Sequence, residues 1–122
     1  PRIIRAIEHR YVNCIGHPSG RLINARAGME IDIARIAQAA AANDVALEIN
    51  AHYMRLDLRD THVRAAVQAG ARIVINSDAH NAEELSVMRF GVTTARRGWA
   101  TPDDVINTWP VKRIRQFLAR KR

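Results

Sequence analysis

The stretch Ile73-Val74-Ile75-Asn76-Ser77-Asp78-Ala79-His80 decides the fold class. A short β-branched run ends in a carboxylate and an imidazole two residues apart. Ile73, Val74 and Ile75 are continuously apolar, which suits a strand covered on both faces and therefore a parallel sheet. Such sheets carry their chemistry beyond the carboxyl ends of the strands. If the chain stays extended past Asn76, the side chains of Asp78 and His80 point the same way and make half of a metal site. The competing reading has Asp78 capping a following helix and His80 on its surface. The upstream sequence decides between them.

Working outward, two more segments repeat the pattern. Tyr11 to Ile15 reads as a strand ended by Gly16-His17-Pro18-Ser19-Gly20-Arg21, and Val45 to Asn50 as a strand followed by the polar loop Ala51-His52-Tyr53-Met54-Arg55-Leu56-Asp57. Between the strands, Glu30 to Asn43 carries Ile33, Ile36, Ala37 and Ala40 at helical spacing. Asp60 caps a further helix with Val63, Ala66 and Val67 inward, and Gly70 ends it. Strand, helix, strand, helix, strand makes a right-handed βαβαβ unit with all three strand ends on one edge of the sheet. That edge collects His17, His52, Asp78 and His80. Three of five histidines falling just past consecutive strand ends favours a functional edge. His17, Asp78 and His80 are expected to converge within about 10 Å, since adjacent parallel strands lie about 4.8 Å apart. His62, on a helix, and His9 read as solvated surface residues.

The flanks read as cover. Pro1 to about His9 is a helical turn or two with Ile3, Ile4 and Ile7 facing the sheet. The chain is again helical from about Ala82 to a stop at Gly98. Thr101-Pro102-Asp103-Asp104 has the form of a helix start, with Thr as cap and acids in the first turn. A last helix from about Pro110 buries Val111, Ile114, Phe117 and Leu118 and shows Lys112, Arg113, Arg115 and Arg120 to water.

The 122 residues suffice for one compact domain but not for a complete eight-stranded α/β barrel, which needs about 200 or more. With 48% hydrophobic and 25% charged residues, and no long apolar run, the chain reads as a soluble cytoplasmic protein without a membrane span. Cys14 is the single cysteine, which excludes an internal disulfide, and it reads as a small buried hydrophobe. Nineteen Lys and Arg against twelve Asp and Glu give +7, the balance of a chain that meets phosphate polymers. Part of that charge is the tail Lys112-Arg113-Ile114-Arg115 and Arg120-Lys121-Arg122. Aromatic residues are only 5%, too few for a base-stacking platform.

Four spaced motifs carry a family resemblance: Gly16-His17-Pro18-Ser19-Gly20-Arg21-Leu22; Leu47-Glu48-Ile49-Asn50-Ala51 with Arg55-Leu56-Asp57-Leu58; Ile75-Asn76-Ser77-Asp78-Ala79-His80; and Met88-Arg89-Phe90-Gly91 with Ala95-Arg96-Arg97-Gly98-Trp99. In this order they resemble the PHP (polymerase and histidinol phosphatase) superfamily, and most closely the carboxyl-terminal PHP domain of bacterial and archaeal family X DNA polymerases. The resemblance implies a distorted (β/α)7 TIM-like barrel, of which residues 1–122 are the carboxyl-terminal half: a parallel βαβαβ unit followed by helices. It further implies a phosphoesterase with up to three divalent metal ions, Mn²⁺ or Zn²⁺, associated with 3′–5′ exonuclease activity and DNA-end processing in repair. By motif, His17, Asp78 and His80 match metal-ligand and catalytic positions, and Arg21, Asn50 and Arg55 are positions that orient a phosphate. His52 matches no ligand and belongs to the rim, and Glu48 reads as a structural residue of its strand. The family's opening His-x-His motif and bridging Glu have no counterpart here. The expected partners are therefore DNA, through its backbone or 3′ end, the missing amino-terminal half of the barrel, and a polymerase domain. An open half-barrel edge is also expected to self-associate. The alternatives are a non-catalytic basic DNA-binding or scaffolding module and, ranked last, a complete small α/β hydrolase, since no nucleophile elbow or P-loop occurs.

Overall fold

A computed structural model describes residues 2–120. The Pro1 start of the first helix and the Lys121-Arg122 end of the basic tail lie outside the described residues. The chain is α/β: strands β1 (Cys14–Ile15), β2 (Ala46–Asn50) and β3 (Arg72–Asn76) form a parallel sheet in that order, with Cys14 opposite Ala46, and Ala46 to Asn50 opposite Arg72 to Asn76. Helices α2 (Ile33–Ala42) and α3 (Asp60–Gln68) make the two crossovers. Helix α1 (Arg2–Ile7) precedes β1, and α4 (Met88–Arg97) and α5 (Val111–Ala119) follow β3. This βαβαβ sheet is compatible with part of a barrel.

The sheet has two different faces because successive side chains alternate. Leu47, Ile49, Ile73 and Ile75 are buried with Ile36, Ala37, Ala40 and Val63 from α2 and α3, and with Ala95 from α4. Fully burying each large aliphatic contributes about 1.5–3 kcal/mol, so this face holds the domain together. The opposite face is apolar only at its amino-terminal end, where Ala46 meets Ile106 and Phe117, with Val74 and Trp109 packed alongside. At its carboxyl end it turns polar, and the Glu48 carboxylate accepts a hydrogen bond from the Asn76 amide at 2.7 Å.

Helix α4 crosses the top of the sheet, and Gly91 sets how closely. A Cβ on Gly91 would lie 2.5 Å from Ile75 Cγ2 and 2.8 Å from Ala51 Cβ, distances real side chains do not adopt. Only a residue without a side chain lets the helix seat there. Gly98 does the same against Val63, at 2.6 Å.

Several expectations are corrected. Helix α2 begins at Ile33 rather than Glu30 because the Asp32 carboxylate accepts from Arg35 N at 3.1 Å and caps it. β1 spans two residues rather than five, since the chain is still turning at Val12, whose N–H donates to His9 O at 3.0 Å. Asp60 is the first residue of α3, and Arg59 holds the cap position without a side-chain bond. Cys14 is exposed on the edge strand rather than buried. The chain around its thiol, and then the Glu48 carboxylate, push the thiol up to about 12. In α5 only Phe117 is buried; Val111 and Leu118 are exposed. Arg120, expected in water, lies over the Phe117 ring at 3.7 Å and 3.6 Å from Asp44.

The largest departure is at Thr101. The local capping contact forms, with Thr101 N and Oγ1 donating to Asp104 Oδ2 at 2.8 and 3.0 Å. No helix propagates from it because the next residues are drawn to the edge of β3. Ile73 N donates to Asp104 O at 2.9 Å, and Val105 makes a one-residue parallel bridge with Ile73. Two positions on, the Asn107 side chain accepts from Ile75 N and donates to Ile75 O, each at 2.8 Å, substituting for a strand. The β3 edge is thus covered, and the edge that would admit a further strand is that of β1.

Candidate functional site

All three loops after the strands lie on one edge of the sheet, and each contains a residue in left-handed backbone conformation: His17 (φ 28°), Leu56 (φ 43°) and Asp78 (φ 55°). None is glycine, and such positions persist only where surrounding structure over-determines them. The cause here is a set of buried polar ties between the loops.

Asp78 sits at the junction of two of them. Asn50, only 1% exposed at the end of β2, donates Nδ2 to Asp78 Oδ2 at 3.0 Å and accepts His52 N at 3.1 Å. Arg55 places Nε 3.5 Å from the same Asp78 oxygen. The Asn50 amide is the main cause holding the Asp78 carboxyl below the usual carboxylate range; partial burial opposes it, and His80, Arg55 and His17 add to it. His17 and His80 come to the same edge, one from each outer strand's loop.

The expected extended Asp78-Ala79-His80 backbone does not occur. Because Asp78 turns left-handed, His80 folds back so that its Nδ1 lies 2.8 Å from Asp78 O. A carbonyl oxygen only accepts, so Nδ1 carries a proton, and in the neutral tautomer the lone pair is on Nε2. The ring is 78% exposed and presents that nitrogen to solvent. Glu84 fixes this geometry: its Oε2 accepts His80 N at 2.7 Å and lies 3.8 Å from Nδ1. Glu84 was not singled out from the sequence, although a carboxylate four residues after a candidate histidine on a helical segment is a readable signal.

His17 is set by the middle strand. The Glu48 carboxylate, 8% exposed, accepts His17 N at 2.6 Å through Oε2 while Oε1 takes the Asn76 amide. Gly16 packs against it, and a Cβ there would sit in ordinary contact with Glu48 Oε2 at 3.4 Å. The first and second loops are then buckled together twice. Asp57, expected in a polar loop but 1% exposed, accepts Ser19 N at 3.0 Å and Gly20 N at 2.8 Å. Arg21 donates Nε to Arg55 O at 2.7 Å and a second nitrogen to Leu56 O. Arg21 and Arg55 thus spend guanidinium donors within the edge, and Arg55 alone of the two reaches Asp78.

His52 is on the rim, its ring stacked on Tyr53 at 4.5 Å and accepting Met54 N at 3.2 Å. His62 is half-buried rather than solvated. Its Nδ1 finds no partner among the described residues, and burial followed by the nearby Arg59 keeps the imidazole neutral at lower pH than usual. Among the described residues no three His, Cys, Asp or Glu side chains are gathered closely enough to hold one metal ion. Among the described residues no helix is long and apolar enough to cross a membrane.

Over 119 residues the sequence is 45% identical to the DNA polymerase/3′-5′ exonuclease PolX of Bacillus subtilis (strain 168), covering 98% of this chain and 21% of that protein. The chain is homologous to part of a family X polymerase. It is also 27% identical over 126 residues to a probable phosphatase of Thermoanaerobacter sp. (strain X514) and to one of Thermoanaerobacter pseudethanolicus, covering 98% of this chain and 49% of each. The chain therefore spans about a fifth of the polymerase and about half of either phosphatase. No family model matches the sequence.

Proposed function

We propose that this chain is the carboxyl-terminal half of a PHP-type metal-dependent phosphoesterase domain acting on DNA 3′ ends within a family X polymerase. The observation that supports it best is the Asp78 carboxylate, kept ionised by Asn50 and Arg55 at the carboxyl edge of a parallel sheet, with His80 in the same loop and His17 in the loop after β1. The domain's work is phosphoester cleavage, in keeping with relatives named as an exonuclease and as phosphatases.

The donor types suit a divalent ion, but their number does not, since the described residues gather no three-ligand group. Asp78, His17 and His80 are therefore proposed as partial ligands, completed by upstream strands. A cation so held, Mn²⁺ or Zn²⁺, would supply a hydroxide-forming water and offset phosphate charge. The chain's own part is orientation. Asp78 stays anionic, His80 keeps Nε2 outward through its Nδ1–H bond to Asp78 O, and Arg55 offers a cation where a phosphate would arrive.

The same shortage of ligands favours the alternative of a non-catalytic basic DNA-binding module. Turnover of a 3′-end-labelled oligonucleotide, with Mn²⁺ and with chelator, separates the two. The 122-residue chain should show little or none. A longer chain restoring the upstream strands should gain chelator-sensitive activity and lose it on Asp78→Ala. Activity indifferent to Asp78→Ala would refute the site, and strong chelator-sensitive turnover by the short chain would refute the half-domain reading.

A further inference from the structure

A second cluster of cations lies outside the edge that carries Asp78. Between the amino terminus of α3 and helix α4 runs a cleft of about 440 Å³ lined by Arg21, Arg59 and Arg97, with Asp60, Thr93 and Thr94 among its polar walls. Three guanidiniums against one carboxylate leave the lining two charges positive. The single acid is already engaged: Asp60 Oδ2 takes Arg97 Nε at 2.9 Å, and its Oδ1 takes Thr61 N at 2.8 Å. The buried Asp57 behind the cleft is spent on Ser19 and Gly20. Arg59 stands apart, because its side chain makes no hydrogen bond or ion pair with any described residue.

We propose that Arg21, Arg59 and Arg97 form a phosphate-binding subsite that holds a backbone phosphodiester of a nucleic-acid strand away from the cleaved end. This deepens the nucleic-acid reading above and rests on it. Like charges crowded in a half-enclosed cleft repel unless an anion joins them, and after burial it is the Arg59 charge that most disfavours Arg21's protonated form. Planar guanidiniums offer paired N–H groups matched to phosphate oxygens. The first-turn N–H groups of α3 add positive potential at the same spot. The cleft also connects to the candidate site: Arg21 is anchored on the carbonyls of Arg55 and Leu56, Leu56 lines the cleft, and Arg55 reaches Asp78. One strand can therefore lie across both.

The test is fluorescence anisotropy of the full chain with a labelled single-stranded oligonucleotide, in chelator so that no hydrolysis enters, over a salt series. Arg59→Ala should weaken binding about 5- to 10-fold at low salt and lower the salt slope by about one, the loss of one phosphate contact. Its unfolding midpoint should stay unchanged, because the side chain has no partner to lose. Arg97→Ala should weaken binding similarly. Arg115→Ala, a matched charge loss on α5, should leave the slope as it was. Wild-type affinity and slope in Arg59→Ala, or an equal loss in Arg115→Ala, would overturn the proposal. So would inorganic phosphate competing as tightly as the oligonucleotide, since the site would then serve a small ion. Failed hydrolysis with Arg59-dependent binding would count against the phosphoesterase reading and leave this subsite standing.

Discussion

Gly91→Ala sets two opposing effects against each other. In an exposed helix interior, replacing Gly by Ala stabilises by about 0.5–1 kcal/mol, because Gly loses more backbone freedom on folding. Here the added Cβ would lie 2.5 Å from Ile75 Cγ2, 2.8 Å from Ala51 Cβ and 3.5 Å from Ala51 Cα. Carbon atoms prefer about 3.5–4.0 Å, so α4 or the Ala51 backbone must move by roughly an ångström. Overpacking of this kind costs about 1–3 kcal/mol. Ala51 cannot yield easily, because its N–H donates to Asn76 O at 2.7 Å and its neighbour Asn50 holds Asp78. The net expectation is destabilisation of about 0.5–2 kcal/mol, a lower Tm by several degrees for a domain of this size, and disturbed Asn50 and Asp78 amide shifts. Urea unfolding monitored by circular dichroism, with a two-dimensional NMR spectrum of the variant, reads both. Unchanged or increased stability would refute the claim that close approach of α4 to the sheet, rather than helix propensity, governs position 91.

Asp57→Ala leaves the Ser19 and Gly20 N–H groups, one buried and one partly buried, without their acceptor; at about 1–3 kcal/mol for each donor, a loss of about 2–6 kcal/mol is expected in denaturant unfolding, with Asp57→Asn recovering part of it. Equal stability of the Ala variant and the parent would show that the buckle between the first two loops is idle. For Asp78 the folded-state pKa is depressed, so its contribution to stability is present above the unfolded value of about 3.9 and is lost as pH falls through the folded value. Carboxyl-carbon NMR titration should find its midpoint below the usual range, and Asn50→Ala, which removes the largest cause, should raise it; an unmoved midpoint would contradict the assignment.

Much of the frame was legible because it is written in local chemistry. β3 runs over Arg72–Asn76 as read, β2 starts one residue later than read, and α4 stops at Gly98. These are bounded by β-branched runs and glycines whose effects act within a few residues. The misreadings share another cause. Thr101 carries a capping contact that forms as read, yet the helix does not follow, because Asp104 and Val105 find the edge of β3 about thirty positions away in sequence. Asp57 looks like a loop acid until Ser19 and Gly20 are brought against it. Asn107 pairs like a strand with Ile75, an arrangement no spacing rule announces.

The candidate site shows the same division, and it changes which strand is central. The apolar run ending in Asp78 and His80 is the clearest signal in the sequence, but β2 holds the edge together. Glu48 fixes His17 on one side and Asn76 on the other, and Asn50 holds Asp78. From the loop that follows β2, Asp57 takes the Ser19 and Gly20 amides and Arg55 reaches Asp78. A middle strand that is buried along its whole length can position its neighbours' loops only through polar side chains at its carboxyl end, since its other residues are spent on the core. This explains why Asp78 is held ionised although the described residues gather no complete ligand set: what orients it belongs to β2 and lies wholly within this stretch. Partners contributed by upstream strands would thus meet an edge already arranged, and the left-handed turns at His17 and Asp78 are the backbone cost of that arrangement.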